Sequence, residues 1–266
     1  MPAHFNFHFG NAYENTDSGE VLFDVVKCDN MMLGGTQGLA DPVWYDLDYA
    51  KEVPYSKLIR YIFTPTGTDA STGATTFSHS TKELSQTQVD FTSVNPAVSC
   101  VKHRYVYAAC GSDMSQSSPV QGLVKIDTEN LSNEQKWLPE QHEWLGESIF
   151  VTKKVKEGKE GEETKEEGKS VDEDDGYILS LLFDGKKDSS EFVVFDAKDI
   201  TKGPISRQAL PVKVPFGLHG SFAQGLTYNA EDVMRRHKAC LAVDSKSWNT
   251  MTGGFSGLGL TQDMFN

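Results

Sequence analysis

The sequence predicts an all-β protein made of antiparallel sheets, each of the kind that forms one blade of a β-propeller. Two segments follow the same plan, in which an apolar strand ends in aspartate and leads through a short turn to a strand ending in Leu-Pro. The two aspartates, Asp127 and Asp196, lie 69 residues apart. Helical periodicity is weak before residue 229. A repeated unit of three or four antiparallel strands at such a period is typical of a propeller blade.

The predicted strands fall into three units along the chain, and each strand is an apolar or alternating run bounded by turn residues. The first unit is less regular than the two that carry the repeated aspartate. Three blades do not close a ring, because a propeller removes its sheet edges by circular closure and usually has at least four blades. The sequence therefore predicts part of a propeller. The strands cover residues 20–27, 58–65 and 75–84 in the first unit, 104–110, 122–127 and 134–139 in the second, and 177–183, 191–196 and 205–211 in the third.

Two segments depart from this strand pattern. Residues 153–175 hold six lysines and ten carboxylates with almost nothing apolar. Such a run predicts a flexible, solvated insertion, because burial cannot offset the entropy lost on ordering it. Residues 229–242 show helical spacing, with Asn229 as a candidate N-cap. We therefore expect one unit over residues 1–222 and an extension of unclear structure, containing a short helix, over residues 223–266.

The composition of the chain excludes several classes of protein. The formal net charge of −13 argues against a nucleic-acid partner, since phosphate binding requires a basic surface. No apolar run approaches the roughly 18 residues of a membrane span, and the N-terminus lacks the layout of a signal peptide. The four cysteines form no C-x-x-C pair, which favours a reducing compartment over a disulfide framework or a zinc site.

Two histidines lie in unusual local sequences. His219, in VPFGLHGSF, follows a strand-like run and has one glycine two residues before it and another directly after it. His8, in FNFHFGNAYE, has aromatic neighbours and a glycine two residues on. Glycines in such positions cost conformational entropy that a plain strand avoids. Each histidine is either a core residue satisfied by a neighbour or a metal ligand at a strand end, and the local sequence leaves both interpretations open.

Six stretches of the chain, spread over residues 7–222, occur in the same order in a known family. They are FHFGNAYE (7–14), HRYVYAA (103–109), GESIFV (146–151), EDDGYILSLLFD (173–184), EFVVFDAKDI (191–200) and VPFGLHGSF (214–222). By these stretches the chain resembles the C-terminal half of the carotenoid cleavage oxygenases. That family includes the retinoid isomerase of the retinal pigment epithelium and the epoxycarotenoid dioxygenases of plants. The series from DDGYILS through FVVFDAKD to HGSF is too specific to be attributed to chance.

The resemblance implies a seven-bladed propeller with a ferrous iron, Fe(II), on its axis, held by four histidines. His8 matches the third of these ligands and His219 the fourth, and the first two belong to an N-terminal half that is absent from this chain. Glu147, in GESIFV, matches a carboxylate that accepts the second ring N–H of His219. Asp90 falls where the corresponding carboxylate for His8 is expected. The family has glutamate there, one methylene longer, so the reach of Asp90 to His8 is open.

The activity implied by the resemblance is that of a non-haem Fe(II) dioxygenase, which cleaves a double bond of a carotenoid or apocarotenoid with O2 and gives two carbonyl products. The implied partners are an apolar polyene, O2 and the N-terminal half that closes the propeller, while peripheral contact with a membrane stays open. The expected location is the cytoplasm or a plastid. The alternative is a truncated or degenerate, non-catalytic member, either an interaction module or an incomplete gene product, because two of the four histidines are missing.

Other aromatic and histidine residues have less specific settings. Four phenylalanines flank the candidate ligands and either line an apolar substrate tunnel or form ordinary core; they are Phe5, Phe7, Phe216 and Phe222. The remaining histidines are expected outside the site, at the mobile terminus, on the surface or at a strand start, and they are His4, His79, His103, His142 and His237.

Overall fold

The computed structural model describes residues 3–30, 49–113, 116–153, 172–214, 216–223 and 235. Almost all regular structure in these residues is β-strand. The strands are β1 (Phe5–Asn15), β2 (Glu20–Cys28), β3 (Lys57–Thr68), β4 (Thr75–Glu83), β5 (Val89–Ser93), β6 (Tyr105–Gly111), β7 (Val120–Asp127), β8 (Gln135–Trp137), β9 (Glu143–Leu145), β10 (Ile149–Thr152), β11 (Gly176–Asp184), β12 (Ser189–Asp196) and β13 (Ser206–Ala209). The helical elements are α1 (Tyr49–Glu52) and three 3-10 turns, Pro96–Val98, Leu131–Asn133 and Ile200–Lys202.

The described strands form three antiparallel sheets. Sheet 1 has the order β1-β2-β3-β4, sheet 2 the order β5-β6-β7-β8, and sheet 3 the order β10-β11-β12-β13, with β9 also paired to β11. Strands that follow one another along the chain are therefore neighbours in the sheet, as short antiparallel connections require. The predicted all-β class with antiparallel sheets is confirmed, and each predicted unit corresponds to one sheet.

The repeated aspartate closes the same kind of turn in two sheets. Asp127 is the last residue of β7, and its Oδ1 accepts the backbone N–H of Asn130 at 3.0 Å. Asp196 is the last residue of β12, and its Oδ1 accepts the backbone N–H of Lys198 at 2.9 Å. Each turn leads into a 3-10 helix and then into an edge strand of its sheet, β8 in sheet 2 and β13 in sheet 3. Aspartate favours such turns because its short side chain bonds to backbone two or three residues on.

Sheet 2 is covered on both of its faces. Successive residues of a strand point to opposite faces, and in β7 both Leu123 and Val124 are fully buried. Val124 belongs to the core shared with sheet 1, where it joins Leu58. Leu123 belongs to the core shared with sheet 3, where it joins Ile178 and Phe195. Sheet 2 therefore lies between the other two and contributes side chains to both cores.

Sheets 1 and 3 each have one covered face and one partly exposed apolar face, here called the outer face. On sheet 3, Leu181 pairs across the strands with Phe192, and these side chains are 39% and 36% exposed. On sheet 1, Phe23 and Phe63 stack edge to face at 5.5 Å on the side opposite Leu58, and both are half-buried. Large apolar side chains left partly exposed on a sheet face are typical of a surface that contacts another element.

The prediction that residues 153–175 are solvated throughout is wrong for the end of that run. The carboxylate of Glu173 accepts the backbone N–H groups of Arg104 and Tyr105 at 2.7–3.0 Å. Asp174 accepts a 2.6 Å hydrogen bond from the buried ammonium of Lys125. These acidic residues satisfy polar groups at the start of β6 and inside sheet 2, a role that composition does not reveal. Residues 154–171, the rest of the run, lie outside the described residues.

The chain divides into two units at Ser221, and all three sheets belong to the first. The extension predicted over residues 223–266 and the helix predicted over residues 229–242 lie, apart from two residues, outside the described part, and both stay predictions. Among the described residues, none of the helical segments has the length and apolar character needed to cross a bilayer.

Candidate metal centre

His8 is presented by an irregular part of β1. The pairing of β1 with β2 shifts register between Asn6 and Phe9 and again between Phe9 and Asn11. Such bulges bend a strand and re-aim the side chains at the irregularity. Gly10 lies two residues after His8. A Cβ added to Gly10 would approach the Cβ of Asp24 to 3.3 Å, which is tighter than ordinary contact. Because Gly10 has no Cβ, β1 can lie close to β2 at this point. Because of the bulge, His8 is not part of the regular pairing between the two strands.

His219 lies beyond β13, in a segment without regular secondary structure, and its side chain is 58% exposed. The neighbouring glycine, Gly220, donates its backbone N–H to Glu147 Oε2 at 2.7 Å. A Cβ added to Gly220 would meet Ile149 at an ordinary distance of 3.5 Å. The structure therefore gives no steric reason for glycine at this position, although the backbone N–H has a defined partner.

The two histidines lie against each other although 211 residues separate them. Their Nε2 atoms are 3.4 Å apart, and their ring centroids are 5.1 Å apart with the planes at 77°. The separation lies within the about 5 Å expected of two imidazoles that share one ion, for which metal–nitrogen bonds are about 2 Å. The fold thus brings together the two histidines that were predicted as metal ligands and that lie near opposite ends of residues 1–222.

Each histidine is held through its other nitrogen by a carboxylate. His8 Nδ1 lies 2.6 Å from Asp90 Oδ1, and His219 Nδ1 lies 3.1 Å from Glu147 Oε1. A carboxylate accepts but does not donate, so each Nδ1 carries a hydrogen, and in a neutral imidazole of this tautomer the lone pair is on Nε2. Carboxylates in this position fix the ring orientation and the tautomer of metal-binding histidines. The shorter side chain of Asp90 does reach His8.

The backbone directly after Asp90 is kinked. The pairing of β5 with β6 shifts register between Asp90 and Ser93, and Phe91 has a φ of 51°. A bulky residue in this left-handed region is unusual and costs on the order of 1–3 kcal/mol. Its backbone N–H donates to Asp90 Oδ1 at 2.9 Å. Nothing in the local sequence signals Phe91, since a left-handed residue is normally signalled by glycine or asparagine.

The donor set fits a divalent transition metal. Two imidazole nitrogens bound to one ion at about 2.0–2.1 Å lie about 2.8–3.4 Å apart for angles between square and tetrahedral, and the 3.4 Å between the two Nε2 atoms is at the tetrahedral end of that range. Imidazole suits iron, zinc, copper and nickel alike, so the pair does not select among them. Within the described ranges no group of three or more His, Cys, Asp or Glu side chains is arranged to hold a metal.

A second polar cluster, here called the Asp24 network, connects β1 with sheet 2. It includes Asn11, which lies three residues after His8 on β1. Arg60 donates two hydrogen bonds to Asp24 at 2.6 and 2.7 Å, and His103 Nε2 donates a third at 2.8 Å. Asn11 donates to His103 Nδ1 at 3.0 Å. Burial alone would raise the pKa of Asp24, but the hydrogen bonds from Arg60 and then His103 outweigh it and lower that pKa. His103 was predicted to lie outside the site, and the structure gives it this buried, structural place.

The phenylalanines and the remaining terminal histidine named from the sequence differ in their exposure and contacts. Phe7, Phe216 and Phe222 are about half exposed and Phe5 is half-buried, and whether any of them lines a substrate tunnel or forms core stays a prediction. His4, expected to be mobile, instead stacks on Tyr61 at 5.5 Å. The ring of Phe91, by contrast, lies 4.8 Å from the ring of His8 and 5.6 Å from that of His219.

Comparison with known proteins gives consistent matches. The sequence model of the family described as retinal pigment epithelial membrane protein matches residues 1–224. The chain is 26% identical over 226 residues to the apocarotenoid-15,15'-oxygenase of Synechocystis sp. and 30% identical over 226 residues to a carotenoid 9,10(9',10')-cleavage dioxygenase of Crocus sativus. Each alignment covers 84% of this chain, but only 39% and 37% of the relatives.

The fold matches as well. A crystal structure of cobalt-substituted Synechocystis ACO superposes with a TM-score of 0.65 and 26% identity, over 84% of this chain and 40% of that chain. The chain therefore spans less than half the length of the relatives it matches. Because the family model covers most of the chain and the sheets superpose on a solved relative, the chain belongs to the carotenoid cleavage oxygenase family, the family of the retinal pigment epithelial membrane protein.

Proposed function

We propose that residues 1–222 are the part of a non-haem Fe(II) dioxygenase that supplies two iron ligands, His8 and His219, and that the complete enzyme cleaves a double bond of a carotenoid or apocarotenoid. The observation that carries this proposal is the convergence of the two Nε2 atoms to 3.4 Å while a carboxylate holds each Nδ1. The relatives, an apocarotenoid oxygenase and a carotenoid cleavage dioxygenase, support this substrate class.

Each residue of the centre has a distinct part in this proposal. His8 and His219 offer neutral imidazole lone pairs, and Asp90 and Glu147 orient the rings and raise their basicity. Phe91 covers one side of the pair with an apolar ring, which excludes water there. Fe(II), when bound, supplies the activation of O2 that amino-acid side chains cannot provide.

The substrate class also agrees with the surface next to the pair. Phe7 and Phe9, on either side of His8, are 48% and 63% exposed. A polyene is an apolar ligand, and pockets for such ligands are lined mainly by apolar and aromatic side chains. These two exposed rings are therefore candidates for contact with a polyene that approaches His8.

The proposed enzyme needs further residues, beyond those of the three sheets, to complete its centre. The relatives are more than twice as long as the matched region, and sheets 1 and 3 each present an apolar outer face. We infer that further blade-like sheets cover both outer faces and supply the remaining ligands, since buried apolar faces are what holds adjacent sheets together. Location in the cytoplasm or a plastid and peripheral membrane contact stay predictions.

A non-catalytic role is the second candidate. The observation that favours it is that the described residues bring only two histidines together, and two imidazoles retain iron less well than four. In that case the chain would use an outer face for association without turning over a polyene. The two candidates differ in whether iron binding depends on His8 and His219.

Co-expression separates these candidates. The chain is produced together with the segment of the Synechocystis oxygenase that it does not cover, and the complex is assayed for iron content and for apocarotenoid cleavage. The dioxygenase proposal expects a complex that retains iron and cleaves, and that loses both with His8→Ala or His219→Ala but not with His79→Ala, an exposed histidine on β4. A complex whose iron content is indifferent to His8→Ala would overturn it.

A further inference from the structure

We propose that Phe91 is a positioning residue that holds the imidazoles of His8 and His219 at the mutual angle required for one metal ion. This inference rests on the proposed function, because it assigns Phe91 a part in the same centre. It starts from three facts on one residue: a left-handed φ of 51°, 9% exposure, and ring contacts to both histidines.

The ring of Phe91 packs against two different aromatic planes. It is tilted by 36° to the ring of His8 at 4.8 Å and by 69° to the ring of His219 at 5.6 Å. Aromatic pairs at such distances prefer offset or edge-to-face arrangements. One phenyl ring that satisfies both contacts therefore restricts how far either imidazole rotates about its bond to the chain. The two histidine planes stand at 77° to each other.

The backbone of Phe91 serves the same two residues. Its N–H donates to Asp90 Oδ1, the oxygen that also holds His8 Nδ1. An ordinary strand conformation at residue 91 would alternate the side chain to the other face of β5. The left-handed conformation instead lets residues 90 and 91 both point at the histidines. Strain of this kind persists where the surroundings over-determine it, and such positions cluster at functional sites.

His219 depends on Phe91 more than His8 does. The His8 side chain is 23% exposed, lies on a strand, and is anchored by a 2.6 Å contact to Asp90. The His219 side chain is 58% exposed, lies outside the strands, and is anchored to Glu147 at a longer 3.1 Å. Losing the phenyl ring therefore removes a larger share of what orders His219, and its ring is the one expected to become mobile.

The test uses the full chain and two substitutions at residue 91. Glycine adopts positive φ without strain, so Phe91→Gly keeps the kink and removes the ring. Phe91→Leu keeps apolar volume without a planar ring. Phe195→Leu is the matched control, since Phe195 is a buried phenylalanine whose ring packs on Trp137 in the core. Each variant is compared with the wild type by NMR of labelled histidine and phenylalanine, by Co(II) titration followed in visible absorbance, and by thermal melting.

The expected result is specific to the histidines. In the metal-free wild type, ring protons of Phe91 show nuclear Overhauser contacts to both imidazoles, and the two imidazoles show contacts to each other. Phe91→Gly abolishes the contact between His8 and His219 and raises the Kd for Co(II) by about 10–100-fold, the scale of residues that orient metal ligands. Its melting temperature is not below that of Phe91→Leu, because glycine relieves the strain. Phe195→Leu lowers the melting temperature but keeps the histidine contacts.

Two outcomes separate this inference from the proposed function. If Phe91→Gly and Phe91→Leu both keep the histidine contact and bind Co(II) within two-fold of the wild type, Phe91 is not a positioning residue. If the wild type binds Co(II) no better than His8→Ala does, the metal-centre proposal fails, while the metal-free NMR comparison still decides the part played by Phe91. If Phe91→Gly does not fold, Phe91→Leu decides by the same readouts.

Discussion

His8 and Asp90, 82 residues apart in the chain, meet at 2.6 Å between Nδ1 and Oδ1. His8 lies in a bulged part of β1 and Asp90 at the kink of β5, so both partners occur where regular pairing is interrupted. The contact joins sheet 1 to sheet 2 at the candidate centre. Changing the carboxylate therefore alters the properties of His8 without removing it, which makes Asp90 the most direct probe of the site.

We expect Asp90→Asn to weaken Co(II) or Fe(II) binding by the complex described above by about 10–100-fold, because a neutral amide no longer supports the basicity of His8. Asp90→Glu should also weaken it, since the kink at Phe91 fits the shorter side chain. The measurement is metal titration, with exposed Asp17→Asn as the control. Tighter binding by Asp90→Glu than by the wild type would contradict this account of the kink.

Glu147→Gln should likewise weaken metal retention by about 10–100-fold. Glu147 accepts from both His219 Nδ1 and the backbone N–H of Gly220, and an amide presents a donor where one of these needs an acceptor. Metal stoichiometry after dialysis measures the effect. Glu14→Gln, an exposed change near the end of β1, should leave retention unchanged. Equal retention by both variants would give Glu147 a purely structural role.

Asp24→Asn should lower the free energy of unfolding by about 3–5 kcal/mol, because it leaves the charge of buried Arg60 without its partner. The lowered pKa of Asp24 also predicts the pH dependence. Its contribution is fully present above the unfolded-state pKa of about 3.9 and is lost as pH falls through the lower folded-state pKa. Urea titrations between pH 7 and pH 2 measure both effects.

A cost for Asp24→Asn no larger than that for Asp17→Asn would show that the buried ion pair does not hold β1. The slope of stability against pH below pH 4 should also become shallower in Asp24→Asn than in the wild type. An unchanged slope would assign the acid sensitivity to other carboxylates.

The outer face of sheet 3 should cause the isolated chain to associate. Leu181→Lys places a charge on that face and should reduce the concentration dependence of molar mass in light scattering, with little change in melting temperature. Leu131→Lys is the control, because Leu131 is equally exposed, at 39%, but lies in a 3-10 turn. If both variants associate to the same degree, the outer face is not the surface responsible.

Thiol labelling tests the packing of sheets 1 and 2. Burial raises the pKa of Cys28 to about 11 and that of Cys110 to about 12, whereas Cys100 is exposed. In a Cys240→Ser background, a disulfide reagent at pH 8 should react rapidly with one thiol and with the other two only after unfolding, because the thiolate is the reacting form. Rapid reaction of three thiols in the native chain would show that these sheets open easily.

The sheets could be predicted from the sequence because their signals are local. The apolar runs ending in Asp127 and Asp196 fix both the strands and the turns that follow them, since an aspartate side chain bonds to backbone two or three residues away. His8 and His219 were found through glycine and aromatic neighbours and through resemblance. No local pattern shows that these histidines meet, because that depends on how three sheets stack.

What the sequence could not predict depends on long-range contacts. Phe91 adopts a conformation that its residue type disfavours, and only its contacts to two distant histidines account for it. Glu173 and Asp174 have the composition of the end of a charged loop. Their partners, Tyr105 on β6 and Lys125 on β7, are distant in the sequence. His103 looks like an ordinary strand-start residue, and its burial between Asn11 and Asp24 follows from the packing of sheet 1 on sheet 2.

The position of sheet 2 between two sheets that are each covered on one side has a consequence for cooperativity. In a linear stack, the end members open at lower free energy than the middle one, so amide hydrogens of β6 and β7 should exchange last. The candidate centre draws on every member of the stack, through His8 on sheet 1, Asp90 on sheet 2 and Glu147 beside β10 of sheet 3. An ion bound there adds its binding free energy to the opening of either end. With metal bound, sheets 1 and 3 would therefore open together in a single cooperative transition. Without metal, each would open independently.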